Sequence, residues 1–291
     1  MFAGFNLAIT SQELKELVGS GNFDYYKKIG REHLKPKKAI FEENIQKYIE
    51  NGIADGTKIE NDWFPKIETD IFISHSHIDE EISLTLAGWL HDEFQIDCFI
   101  DSCVWGYAGH LLELINKEYS DKRKDDNGGY LYNHEKCNTA SKHVNIMLCM
   151  ALQKMIDKVE ATFVINTRNS IDKYKDVYED STFSPWIYTE IVCTQIVRHK
   201  RLSEYRKKHL IKKEVSESYS EIQQEFKAVY EVSLDHLKIL NKEILNNWGI
   251  AWKDIDSKSN MYALDELYKI VIPEAMEDIR RFYKEHLAIL G

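Results

Sequence analysis

The chain has 291 residues, 43% of them apolar, which suits one large domain or a core domain with a smaller attachment. Sixteen Tyr, twelve Phe and six Trp argue against disorder. A net charge of −10, from 38 Lys and Arg against 48 acidic side chains, argues against nucleic-acid binding over the whole surface.

Residues 1–10 have no basic segment ahead of their apolar residues and make a poor signal peptide. Thr10 followed by Glu13 reads as a capping box opening a short helix, with Gly19 as its stop. Asp24 opens a second helix towards His33. Pro36 sits at the first turn of a third, with Phe41, Ile45, Tyr48 and Ile49 at helical spacing and Asn51-Gly52 as its end. Segment 53–69 is irregular and is taken as a boundary. Residues 1–68 are therefore expected as an N-terminal helical extension and residues 69–291 as the main domain. Helices this short need a surface to pack on, from the main domain or from another copy.

Residues 70–74, Asp-Ile-Phe-Ile-Ser, read as a buried parallel strand. Residues 80–94 form an amphipathic helix through Ile82, Leu86, Leu90 and Phe94. A second strand covers 96–100 and is closed by Asp101; a second helix covers 109–118. Alternating strands and helices imply a doubly wound parallel sheet of flavodoxin-like type, with ligands beyond the carboxyl ends of the strands. There lie Ser74 and His75 after the first strand, and Asp101, Trp105 and Tyr107 after the second. Residues 119–140 read as a long polar insertion before the third strand. Residues 143–157 are helical, and the apolar run 146–152 is far short of a membrane span. The third strand is 159–165, and 166–180 is a polar loop.

Next comes Ser184-Pro185-Trp186-Ile187-Tyr188-Thr189-Glu190. Ser184 suits an N-cap and Pro185 the first helical position, so a helix starts here with Trp186 and Glu190 on one face. That helix is expected to run into residues 198–213, where eight Lys and Arg read as a solvated face. Residues 226–232 alternate like a fourth strand; Leu234, Leu237, Leu240 and Leu245 follow a helical pattern. Trp248-Gly249 and Trp252 mark an aromatic turn, closing helices follow, and no fifth strand is evident. The cysteines at 98, 103, 137, 149 and 193 form no C-x-x-C pair and fit reduced thiols in a cytoplasmic protein. His134, Cys137 and His143 are metal ligands by type but not by spacing, so no metal site is expected. No Gly-x-Gly-x-x-Gly, P-loop or Gly-x-Ser-x-Gly sequence is present, which disfavours redox dinucleotide, NTPase and hydrolase-elbow readings.

Asp-Ile-Phe-Ile-Ser-His-Ser followed by Asp79 resembles the opening of Toll/interleukin-1 receptor (TIR) domains. Phe99-Ile100-Asp101 resembles the end of their second strand, and Trp105-Gly106-Tyr107 sits where the family places its mobile loop. The stretch from Ser184 to Glu190 is similar to the family's Ser-x-Trp-x-x-x-Glu helix. The likeness covers roughly residues 70–200 and departs at the 119–140 insertion. It implies an enzyme that cleaves the nicotinamide–ribose bond of NAD+, with NAD+ as substrate and no cofactor. Glu190 is the implied catalytic residue; Ser74, His75, Asp101, Trp105, Tyr107 and Trp186 line the substrate cleft. ADP-ribose or a cyclic or modified ADP-ribose is the expected product, acting as a signal to a downstream effector in bacterial anti-phage immunity. Self-association is expected, with no nucleic-acid or membrane partner. The rival readings are a non-catalytic TIR adaptor working by TIR–TIR assembly and, less well supported, a phosphorylation receiver built on Asp101.

Overall fold

The structure is a computed structural model that describes residues 1–35, 45–50, 53–105, 108–125, 129–172, 180–208, 230–255 and 262–287. Its centre is a sheet of β1 (Ala3–Ala8), β2 (Ile71–Ser74), β3 (Cys98–Phe99), β4 (Ala161–Asn166) and β5 (Lys238–Asn241). All neighbours pair in parallel, in the spatial order β3-β2-β4-β1-β5. The expected α/β class with a parallel sheet flanked by helices is present.

The surprise is β1. The stretch Ala-Gly-Phe-Asn-Leu-Ala lies in the segment expected as a helical preface, yet it is an inner strand between β4 and β5. Counted from β2, the sheet keeps the order second-first-third of flavodoxin-like folds, and the N-terminal strand fills the fourth place. Phe5 and Leu7 are fully buried, and the Phe5 ring meets Phe163 edge-on at 5.2 Å. The side chains of residues 1–34 share one hydrophobic core with β2 and β4.

Helices α1 (Ser11–Val18) and α2 (Phe23–Leu34) follow β1, and α3 (Gly56–Trp63) leads to β2. Thr10 and Glu13 form the expected reciprocal capping box, and Gly19 ends α1 at φ 83°. The segment around 53–69 is not irregular: Asp55 caps α3 through the Lys58 amide. Residues 45–48, expected as α-helix, form a 3-10 turn, while Pro36 and Phe41 lie outside the described residues. Helix α4 (Glu80–Phe94) connects β2 to β3. Helices α5 (Asp101–Val104), α6 (Ala108–Tyr119) and α7 (His134–Lys158) connect β3 to β4. Asn133 accepts bonds from the amides of Glu135 and Lys136 and so starts α7 nine residues before the expected position; the insertion is correspondingly shorter.

Beyond β4 come α8 (Pro185–Ile196), α9 (Leu202–Lys208), β5, α10 (Lys242–Lys253), α11 (Ala263–Val271) and α12 (Met276–Leu287). Residues 230–231 pair antiparallel with 181–182, away from the main sheet, so they are not its fourth strand; residues 226–229 lie outside the described residues. Leu240 belongs to β5, the strand the leucine spacing concealed. Trp248 and Trp252 sit inside α10 rather than in a turn, their indole N–H groups donating to the Ala263 and Glu93 carbonyls. The basic stretch is not one solvated helix. Arg206 is 2% exposed and bridges Glu160 (2.6 and 2.8 Å) and Asp265, with Tyr268 donating to Glu160 at 3.0 Å.

The helices sort into two groups by contact. Helices α1, α2, α4 and α10 pack together; α3, α6, α7 and α8 pack together. Right-handed crossovers in opposite directions put the two groups on opposite faces of the sheet.

Candidate active site

Strands β2 and β4 are neighbours, and their outgoing chains part company. The chain after β2 enters α4 in one helix group; the chain after β4 reaches α8 in the other. A crevice beyond the carboxyl ends is the usual consequence of such a switch point. Ser184 caps α8, accepting from the Ile187 amide at 3.2 Å, and Pro185 takes the first turn where no amide hydrogen is needed. Glu190 lies in the next turn and turns inward, 3% exposed. Its Oε2 accepts a bond of 2.6 Å from the hydroxyl of Ser74, the last residue of β2.

The carboxyl of Glu190 titrates well above the ordinary carboxylate range. Burial is the main cause, the negative charge of Asp101 adds to it, and the Ser74 hydrogen bond opposes both. His75 is also buried. Its Nε2 faces the Ser102 hydroxyl at 3.4 Å, and its Nδ1 has no hydrogen-bond partner among the described residues. Burial lowers the imidazole pKa, with Asp101 opposing and His77 assisting. Asp101, in the first turn of α5, is therefore electrostatically joined to both groups.

Of the sequence-predicted residues, Ser74 and Glu190 are in contact, and the charge of Asp101 acts on both Glu190 and His75. Trp105 is different. Its indole is 3% exposed, meets Phe64 and Phe99 edge-on at 5.6 and 5.0 Å, and donates to the Pro65 carbonyl at 3.0 Å. A ring packed and bonded in this way is core and offers no face for stacking on a ligand. Trp186 is half-buried against the main core, and Tyr107 lies outside the described residues.

Sequence reasoning assigned no site role to Asp79. It is 4% exposed and accepts from Thr167 Oγ1 at 2.5 Å and Asn169 Nδ2 at 2.8 Å. It thus ties the loop after β2 to the loop after β4 at the carboxyl ends of the strands. The available signal was an acidic residue just ahead of a helix, which is ordinarily a cap. Cys193, three residues beyond Glu190, is pushed up to about 12, chiefly by burial and then by Glu190, so its thiol is not a nucleophile at neutral pH.

A cavity of about 550 Å³ lies elsewhere, lined by Lys66, Lys154, Lys158 and Lys200 among others. Three of these four lysines are ion-paired: Lys154 with Glu60, Lys158 with Glu68 at 2.8 Å, Lys200 with Asp157 at 2.6 Å. Volume there comes from a surface trough whose cationic walls are largely paired with carboxylates. The buried, unbalanced carboxyl at Glu190 is the stronger chemical signal. His134, Cys137 and His143 all fall on α7 and are not drawn into a common ligand group.

The chain was compared with protein-family models, curated proteins and solved structures, and none of them matches it.

Proposed function

We propose that this protein is a TIR-like enzyme that cleaves the nicotinamide–ribose bond of NAD+, with Glu190 as the catalytic carboxylate. The observation that carries the reading is the buried Glu190–Ser74 contact at the switch point, where an α/β sheet of this kind takes its ligand. Support from the sequence is the resemblance of the 71–79, 99–107 and 184–190 segments to the TIR family.

The chemistry fits the residues. Departure of nicotinamide leaves positive charge on the ribose, and the leaving group is neutral once released, so no acid is needed to protonate it. What is needed is one negative charge fixed close to the ribose in a dry site. Glu190 supplies it in its ionised form. Burial and the charge of Asp101 raise the Glu190 pKa; the positively charged nicotinamide ring of NAD+ acts in the opposite sense and favours the ionised carboxylate that the cleavage step uses. Ser74 orients the carboxylate through its hydroxyl. The uncommitted Nδ1 of His75 is a polar group for the ligand, and Asp79 holds the two crevice loops together.

Hydrolysis, cyclisation and conjugation differ only in which acceptor meets the ribose. Product signalling in anti-phage immunity and self-association follow from the resemblance; a cytoplasmic location follows from the cysteine pattern. The experiment is nicotinamide release from NAD+ by purified protein, with and without a crowding agent, for the native chain and Glu190→Ala. Release by the native chain alone supports the proposal. Equal release by both moves the chemistry away from Glu190. No release in any assembled condition favours the TIR adaptor.

A further inference from the structure

At the other end of the sheet, two histidines and an aspartate converge. His33 ends α2, His91 lies in the last turn of α4, and Asp97 stands just before β3. Their potential ligand atoms all lie within 4.8 Å of one another. His33 Nε2 is 3.2 Å and His91 Nδ1 is 3.6 Å from the same oxygen, Asp97 Oδ1.

The backbone dictates this convergence. Gly30 and Gly88 are where α2 and α4 touch: a Cβ on Gly30 would lie 2.0 Å from the Leu84 carbonyl oxygen, and one on Gly88 1.9 Å from that of Tyr26. Three residues on from each glycine, on the same helix face, stand His33 and His91. The close approach therefore forces the two imidazoles together, ring centres 3.7 Å apart. Gln95, at φ 57°, then reverses the chain to bring Asp97 beside them. Asp97 is held by its backbone: its amide donates to Asp70 Oδ2 at 2.8 Å, and its carbonyl accepts from the Asp70 amide at 2.9 Å and the Thr69 hydroxyl at 2.7 Å.

We infer that His33, His91 and Asp97 form a binding site for a divalent transition-metal ion of the zinc class, with a fourth position open to water. An ion bound tetrahedrally at about 2.0–2.1 Å sets its ligand atoms about 3.3–3.4 Å apart, and the two histidine–aspartate distances bracket that spacing. Two imidazoles and a carboxylate suit zinc, cobalt or nickel and not magnesium, which prefers oxygen and water. The side chains are 12%, 34% and 24% exposed, so an ion has access. Two imidazoles on one tetrahedral ion stand with ring centres about 5 Å apart. The present stack therefore opens on binding, by side-chain rotation, while the glycine contact and the backbone bonds of Asp97 stay in place. The ion would staple α2 and α4 to the start of β3.

The test uses the metal-stripped full chain, titrated with Zn²⁺ by calorimetry and with Co²⁺ by visible absorption, with Mg²⁺ as a control. The expected result is one Zn²⁺ per chain, no response to Mg²⁺, and a melting temperature raised by about 4–5 °C at a hundredfold excess over Kd. His91→Ala and Asp97→Asn each weaken binding at least tenfold. Asp97→Asn keeps the backbone bonds at residue 97, so a folded variant is at hand even if His91→Ala is poorly folded. Absence of saturable Zn²⁺ binding by the folded chain overturns the inference. So does an unchanged isotherm in the folded Asp97→Asn variant, which places the ion elsewhere, at the cysteines for example.

Discussion

Two buried glutamates, one at each end of β4's neighbourhood, show how the same side chain serves opposite purposes. Glu160, just before β4, is 2% exposed and meets both arms of Arg206 and the Tyr268 hydroxyl. Glu190, beyond the carboxyl ends, is 3% exposed and meets one serine hydroxyl, with Asp101 adding repulsion. Burial is equal, but compensation is not. A carboxylate in a bidentate pair is part of the scaffold. One left with a single neutral donor is held in a costly state, and such states gather where chemistry is done.

The contrast is broken most severely at Arg206. Arg206→Met leaves Glu160 and Asp265 buried beside each other without a cation, and a loss of about 3–5 kcal/mol is expected in urea unfolding. A cost near zero would mean that the scaffold end is no better compensated than the site end. Next in size is Gly30→Ala. The added methyl meets the Leu84 carbonyl oxygen, and an overpacking cost of about 3 kcal/mol is expected.

Glu190→Gln sharpens the contrast from the other side. Nicotinamide release is expected to fall at least a hundredfold, with no loss of stability. The sign follows from proton counting. The folded chain keeps the Glu190 proton above the ordinary value of 4.5, so it binds more protons than the unfolded chain from there up to the raised pKa. Stability contributed by that proton is lost as pH rises through this window. The glutamine variant lacks that slope and is expected to be more stable by about 0.5–2 kcal/mol at alkaline pH. Thermal melts of both proteins between pH 4 and 9 measure it; parallel curves would show Glu190 to be adequately solvated.

Ser74→Ala removes the one bond among the described residues that favours the ionised carboxyl. It should cost about 1 kcal/mol and move the activity profile to higher pH, which initial rates across pH reveal. The smallest effect is at Thr10, which bonds to neither Glu160 nor Glu190 and caps α1 through Glu13. Thr10→Ala dismantles the capping box of α1 for about 1 kcal/mol or less, seen as a small drop in melting temperature with unchanged activity.

Local chemistry made part of this protein legible. The capping box at Thr10, the Ser184-Pro185 helix start, helix α4 and the strand ending at Ser74 all lie where residue pattern and cap rules put them, because each depends on neighbours within a few residues. Glu190, Ser74, His75 and Asp101 could be gathered as candidates on the same grounds, since strand ends and helix starts are readable. Strand β1 was not legible. Its alanines, glycine and asparagine carry weak strand preference, and it becomes a strand by filling a vacant place between β4 and β5. Nor was β5, whose Leu240 fits a helical period with Leu234, Leu237 and Leu245 until it is seen paired to Leu7.

Sequence alone therefore determined the alternation of strands and helices, the caps, and the residue types present at the strand ends. Tertiary structure decided the partners. It inserted the N-terminal strand into the sheet, sent Trp105 into the core, gave Arg206 to Glu160, and left Glu190 with little more than a hydroxyl. Hydrogen-bond patterns within a turn are set by adjacent residues, whereas the compensation of a buried charge is set by whatever distant segment the fold brings to it.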